Sequence, residues 1–313
     1  MRAFVVGAYV SANFLFVPSL PREAQTAAAT GYFHDHGGKG LNLGIGLHRL
    51  GVATDLLLSV GDDARGREIT QLLREMGLST DHVHTAEVGS GFGIGLIAPD
   101  GANLLAAYMG ANALLGETHV EQARKTIEAA HFCLAQFESP EPAILAAFRI
   151  AKAAGRVTYL NPSPWSQPSD ELLGLTDIMV VNEPEAMDFL GVATAGAPAQ
   201  DFARDLPDFS KRRGWRGELL VVTLAERGAV ALKGGACTVA PAFPIDQIDA
   251  TGAGDGFGCG LVSALAAGES LDAALRKASA CGALVASRKG VFDVLPHTGE
   301  LEKFLSSRPM APG

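Results

Sequence analysis

The stretch Asp249-Ala250-Thr251-Gly252-Ala253-Gly254-Asp255-Gly256-Phe257 runs straight into an apolar segment that reads as a helix, Gly254–Ala267. Small residues at 252–254 let successive backbone N–H groups turn toward one point. The helix they open adds the positive end of its dipole, so the place suits a phosphate. A carboxylate in that first turn, Asp255, has two readings. It can complement the dipole as a capping acid. It can also take a proton from a hydroxyl while the neighbouring amides hold the phosphoryl group in transfer. Neither GxxxxGK[ST] nor GxGxxG occurs in the chain, which weakens P-loop nucleoside triphosphatases and Rossmann dinucleotide enzymes as readings.

Further polar residues follow apolar runs that read as strands. Glu138 comes after 132–135, Asn161 after 157–160, Asn182 and Glu185 after 178–181, and Thr223 lies within 219–224. Ligands of open parallel sheets lie beyond the carboxyl ends of the strands, so this series predicts a crevice. Asn182 and Glu185 share one face of a helix's first turn; alone, Glu185 reads as an acid favoured by the dipole. Near the N-terminus, Gly37-Gly38-Lys39-Gly40-Leu41-Asn42 precedes another helical pattern. Singly, Lys39 reads as a solvated loop lysine and Asn42 as a helix-start amide.

The elements that must position these groups alternate in type. Short apolar runs at Ala3–Val6 and Asp55–Val60 read as strands covered on both faces. From about residue 113 onward, strands and helices alternate, which argues for βαβ crossovers and a mostly parallel α/β sheet. Asn13–His36 has no helical period and reads as extended excursions. In Gly89–Leu96, glycines at 89, 91, 93 and 95 alternate with Phe92, Ile94 and Leu96. That pattern predicts a strand with one bare and one apolar face. The turn signal Pro99-Asp100-Gly101-Ala102 then predicts a hairpin with Asn103–Met109.

Composition bounds the rest. The 313 residues are 48% apolar and only 19% charged, with net charge −9, so a large core is available and disorder is excluded as a general description. No Lys/Arg run exceeds Lys211-Arg212-Arg213, so no nucleic acid partner is expected. The apolar residues 3–20 imitate an export signal, but Ser11, Asn13 and Pro18 interrupt them; a buried first strand fits better. No other run is long enough for a membrane span. Cys133, Cys237, Cys259 and Cys281 form no CxxC pair and read as thiols of a reducing cytoplasm. Fourteen of the 37 glycines fall within 37–46, 89–95 and 252–260.

Together these motifs resemble the ribokinase-like (PfkB) carbohydrate kinases. Asp249–Phe257 looks like the C-terminal signature of that family and Gly37–Asn42 like its N-terminal one, in the form ribokinases carry. Between them, Gly61-Asp62-Asp63 with Gly66, Met109-Gly110-Ala111-Asn112, Phe137-Glu138-Ser139-Pro140 and Leu160-Asn161-Pro162-Ser163-Pro164 match in order. So do Asn182-Glu183-Pro184-Glu185, Thr223–Gly228 and Arg288-Lys289-Gly290.

The resemblance implies a three-layer α/β/α sandwich over residues 1–313, with a mostly parallel sheet and a small β-sheet lid from segments near 13–36 and 89–109. In such proteins the lid often builds a homodimer. It further implies ATP-dependent phosphorylation of a sugar's primary hydroxyl. Asp255 would be the base, and Gly252, Ala253 and Gly254 the anion hole. Gly38, Lys39, Asn42 and Glu138, with Asp255, resemble the sugar contacts. Asn182, Thr223, Ala225, Gly228, Gly254 and Ser279 fall where the nucleotide lies, Ala225 replacing a frequent glycine. Glu185 would hold Mg²⁺ through water, a habit of that ion. Asp249 with the carbonyls of Thr251, Ala286 and Gly290 resembles a K⁺ loop.

One departure bears on substrate. Where the family usually carries Asn-x-Asp after the first strand, this chain has Val10 and Ala12. The loss of a carboxylate acceptor for sugar hydroxyls leaves three substrate classes: ribose, another sugar or sugar acid, or a nucleoside whose base would stack on Phe14, Phe16, Tyr32 and Phe33. A non-catalytic sugar-binding regulator is a further reading, disfavoured by the intact Asp255 and anion hole.

Overall fold

A computed structural model describes residues 1–100, 102–191 and 196–308. The chain opens with β1 (Arg2–Val6), β2 (Val10–Phe16), β3 (Gly31–Gly37), α1 (Lys39–Arg49), β4 (Ala53–Gly61), α2 (Ala64–Glu75) and β5 (Val83–Ala86). Next come β6 (Phe92–Ile97), β7 (Asn103–Tyr108), α3 (Glu117–Gln122), α4 (Arg124–Ala129), β8 (Phe132–Gln136), α5 (Glu141–Ala153) and β9 (Val157–Asn161). They are followed by α6 (Asp170–Gly174), β10 (Ile178–Asn182), α7 (Glu183–Leu190), α8 (Ala199–Arg212) and β11 (Leu219–Thr223). The last are β12 (Ala229–Lys233), β13 (Ala236–Ala240), α9 (Ala253–Ala266), α10 (Leu271–Ala286) and α11 (Thr298–Ser306).

Nine strands form the main sheet in the order β13-β12-β11-β10-β9-β8-β1-β4-β5. All neighbours are parallel from β11 to β5; β12 and β13 add antiparallel to the β11 edge. The sheet is buried on both faces, and successive side chains go to opposite layers. Val5, Leu58, Leu134 and Val221 pack in the layer with α1, α2, α9 and α10. Phe4, Leu57 and Cys133 face α3–α5, while Leu220 faces α7 and α8. This is the three-layer α/β/α arrangement expected. The four cysteines are unpaired.

The remaining strands form a separate sheet, β3-β2-β6-β7. β6 starts at Phe92 rather than Gly89, and it returns as an antiparallel hairpin with β7. The glycine face of β6 is not bare in the fold. A Cβ at Gly95 would lie 2.7 Å from the Phe14 ring, so the glycines make room for β2 side chains. The tip of the predicted turn, Gly101, lies outside the described residues. The expected aromatic platform is split by strand parity. Tyr32 pairs with Leu15 and lies on the face opposite Phe14, Phe16 and Phe33. The Tyr32 hydroxyl donates to Asn13 Oδ1 at 2.7 Å.

Two motif residues fix the lid to the body. Asn112 accepts from Tyr9 N at 2.9 Å and donates to Tyr9 O at 2.7 Å, gripping the chain between β1 and β2. Asp63 caps α2 through Gly66 N at 2.8 Å and accepts from Ser90 N and Oγ, just before β6. Among the described residues no helix is long and apolar enough to cross a membrane.

Candidate active site

The predicted crevice is formed by register. Gln136 pairs with Asn161 at the ends of β8 and β9, and Asn182 with Thr223 at the ends of β10 and β11. Beyond these ends lies a cleft of about 970 Å³, closed on its other side by the N-terminus of α9 and by α10. Lys39, Asn182, Glu185, Thr223, Ala225, Gly228, Gly252–Asp255 and Ser279 all line it.

Gly252 has φ 78°, the left-handed region that glycine enters without strain. Its neighbours make the usual tight bonds of a helix start, Ala253 N to Ala250 O and Gly256 N to Gly252 O. Among the described residues, the amides of Gly252, Gly254 and Asp255 have no acceptor in the chain. These free donors, at a helix N-terminus and facing the cleft, are what an oxyanion needs.

Asp255 is 4% exposed. Asn42 Nδ2 donates to its Oδ2 at 2.7 Å and Gln136 Nε2 to its Oδ1 at 3.3 Å. Burial pushes its pKa above the ordinary carboxylate value, while the Lys39 charge and these two amides pull it back down. Gln136 is a site residue that the motif reading passed over. The available signal was an amide ending an otherwise apolar buried strand. The second oxygens of both amides, Asn42 Oδ1 and Gln136 Oε1, are buried without partners. Buried polar atoms are seldom left so, and here they adjoin the carboxylate.

Lys39 is not a solvated loop lysine. Its ammonium is held protonated chiefly by Asp255, with Glu138 and Glu185 adding to this against the cost of burial. Its backbone N–H donates to Glu138 Oε2 at 2.6 Å, which places a carboxylate at the start of α1. Burial raises the Glu138 pKa, and Lys39 opposes that rise. Gly38, with φ 106°, turns the chain here, and any Cβ would strike Ala8 O at 2.2 Å. The structure thus brings Gly38, Lys39, Asn42, Glu138 and Asp255 together.

Asn182 and Glu185 cap α7 reciprocally. Asn182 Oδ1 accepts from Glu185 N at 2.9 Å, and Glu185 Oε2 accepts from Asn182 N at 2.9 Å. Among the described residues, Glu185 Oε1 takes no bond from the chain, and the side chain borders the cleft. That donor set, with one carboxylate oxygen left over, fits an ion held through water. Just beyond neighbouring β11, Ala225 has φ 52°, a conformation that costs an alanine roughly 1 kcal/mol or more. Gly228 follows in the same wall, while Ser279, on α10, lines the other side with its Oγ buried without a partner.

Asp249 and Ala286 are neighbours. The Ala286 carbonyl accepts from Ile248 N at 2.9 Å and Asp249 N at 3.2 Å, and Asp249 Oδ1 accepts from Thr251 N at 2.9 Å. Gly290 lies against the lid, where its Cβ would be 3.1 Å from Asp35 Oδ2. No cluster of three metal-ligating side chains exists among the described residues.

Residues 3–298 match the model of the pfkB family of carbohydrate kinases. A ribokinase of Haemophilus influenzae is 30% identical over 302 residues, covering 96% of this chain and 97% of that one. The structure of Arabidopsis thaliana ribokinase with ribose and ATP superposes with a TM-score of 0.88 at 24% identity, over 97% of this chain and 98% of that one. A Burkholderia thailandensis nucleoside kinase with inosine gives 0.78 at 19% identity, over 98% and 97%.

Proposed function

The chain belongs to the pfkB family of carbohydrate kinases, and on that premise we propose that it phosphorylates the primary hydroxyl of a ribose-type pentose with ATP. The observation that carries this reading is the buried Asp255 carboxylate set directly beside amides with no acceptor.

In this reading Glu138, Lys39, Asn42 and the turn at Gly38 hold the sugar so that its hydroxyl meets Asp255. Asp255 takes the hydroxyl proton as the oxygen attacks the γ-phosphoryl group. The free amides of Gly252, Gly254 and Asp255 receive the charge that spreads over the phosphoryl oxygens, whereas the Ala253 N–H, expected among them, is taken by Ala250 O and only shapes the turn. The amide nitrogens of Asn42 and Gln136, which donate to the two carboxylate oxygens, keep the base in register. The nucleotide occupies the remaining cleft, between Thr223–Gly228 and α10 around Ser279. Mg²⁺, which neutralises phosphate charge, would be held through water by Glu185 with Asn182 alongside. Asp249 with the Thr251, Ala286 and Gly290 carbonyls would hold K⁺ beside the anion hole.

Lid packing favours a sugar over a nucleoside. The Lys289 ammonium lies 4.2 Å from the Phe16 ring centre and 5.2 Å from that of Phe33, while Phe33 also stacks on Phe14. One face of Phe16 and of Phe33 is therefore taken by Lys289 and closed to a stacked base.

The whole chain works as one kinase unit in this reading, with the β3-β2-β6-β7 sheet as its lid. The edge strand β7 is exposed throughout, with Leu104 and Leu105 open, which suits a homodimer through the lid. The unpaired thiols suit the cytoplasm. A coupled assay of ADP release over pentoses, hexoses, sugar acids and nucleosides tests the reading. Turnover is expected with ribose or a related pentose. Turnover confined to nucleosides moves the assignment there, and no turnover with any of them overturns it.

A further inference from the structure

Lid strand β3 carries a buried carboxylate that the chemistry above does not use. Asp35 is 9% exposed and pairs in register with Ala12, so both point to the same face of the lid. Its Oδ2 accepts from Val291 N at 2.8 Å and Phe292 N at 3.3 Å, while Oδ1 accepts from His36 N at 2.8 Å. The residues bonded through Oδ2 belong to the loop that follows α10. That loop is held to the lid from both sides, since Lys289 packs on Phe16 and Phe33 and the Phe292 ring meets His36 edge-on.

The same loop presses on the anion-binding turn. A Cβ at Gly252 would lie 2.7 Å from Val291 Cγ1, so the valine sits directly on the residue that opens α9. A continuous path therefore runs from Asp35 through the Val291 amide and side chain to Gly252. Asp35 is also only four residues before Lys39. One short strand thus reaches the sugar-side turn at one point and the phosphate-side turn at another.

We propose that Asp35 is a positioning residue, tying the lid strand over the sugar to the anion-binding turn through Val291. A carboxylate oxygen bonded to two consecutive amides fixes a loop at two points of its backbone. Any shift of β3 moves Val291 and, through it, the amides at 252–254. Small displacements of such donors cost rate rather than ground-state binding, because their full strength is felt only as charge develops. The inference rests on the kinase reading for its kinetic arm only.

The experiment has two arms. In the first, Asp35→Ala, Asp35→Asn and Val291→Ala are made singly, with the Asp35→Ala/Val291→Ala double variant, and kcat and both KM values are measured on the best sugar. Asp35→Ala should lose about tenfold or more in kcat with sugar KM changed less than about threefold. Asp35→Asn, which keeps one acceptor oxygen, should fall between it and the parent, and the double variant should match the worse single one. A kcat within about twofold of the parent, or fully additive losses, overturns the proposal. The second arm follows amide hydrogen exchange in Asp35→Ala and Asp35→Asn, whatever the substrate. Faster exchange in both 288–292 and 251–257 supports the coupling, whereas faster exchange confined to 288–292 refutes it. If the parent phosphorylates nothing, the kinase reading fails while the exchange arm still decides this one.

Discussion

Asp255→Asn separates chemistry from stability with opposite signs. Removing a general base from phosphoryl transfer costs roughly 10²–10⁴-fold in kcat, equivalent to about 3–5 kcal/mol of barrier. The fold should not suffer in parallel. The introduced amide would face two donors, Asn42 Nδ2 and Gln136 Nε2. Each of those side chains, however, also has a buried oxygen without a partner, so turning one of them over restores a matched pair. Burial raises the Asp255 pKa in the folded state above its ordinary value of 3.8. Its protonated form therefore favours folding at low pH, and that contribution is lost as pH rises through the folded-state value. Above the folded-state value the parent carries an ionised buried carboxylate that the variant lacks. The variant should melt at the same temperature as the parent or higher, with the gap narrowing as the pH falls toward about 4. Steady-state kinetics with sugar and ATP, together with calorimetric melts over that range, test both halves. A kcat within about tenfold of the parent would remove Asp255 from the base role. A variant that melts lower by the same margin at every pH would refute the electrostatic argument.

Gln136→Leu removes a single long hydrogen bond to the base. A bond to a charged group is worth about 1.5–3 kcal/mol, and at 3.3 Å the lower end applies, so kcat should drop about tenfold. Because Gln136 lowers the Asp255 pKa, the acidic limb of the kcat/KM profile should also move to higher pH. A reduced rate with an unmoved limb would argue for packing alone. K⁺ should stimulate turnover over Na⁺, and Asp249→Asn should abolish the difference. Equal rates in both salts for the parent count against a cation beside Thr251 and Ala286.

The parts legible in the sequence were those written in local backbone chemistry. The Gly252–Asp255 turn is announced by residue size and one carboxylate, because adjacent residues build it. The polar strand ends were legible for a similar reason: an amide closing an apolar run has few alternatives. What stayed hidden depended on pairing between distant segments. In the antiparallel edge β11-β12-β13, Ala225 at φ 52° disguises the first turn where a glycine would have flagged a hairpin, whereas Gly234-Gly235 marks the second and was legible. The aromatic platform failed for want of a register: Tyr32 and Phe33 are adjacent, so they cannot share a face of β3. Asp35 was invisible for the most extreme reason, since its partner Val291 is 256 residues away.

Charge at the site explains why cations belong in the reading at all. Asp255 and Glu138 flank a single ammonium, Lys39, and Glu185 adds a further carboxylate at the cleft wall. The protein side is therefore negative before a polyphosphate arrives, and like charges at these distances in a partly buried cleft repel strongly. Backbone amides at 252–255 offset this only over the one phosphoryl group they surround. Among the described residues no arginine lines the cleft, so no side chain there besides Lys39 supplies a fixed positive charge. In the proposed reading the nucleotide therefore brings its own cation, which the spare Glu185 oxygen would share. Burial leaves the Asp255 carboxylate short of solvation, so that in the proposed reaction transfer of the hydroxyl proton relieves a cost burial has already imposed.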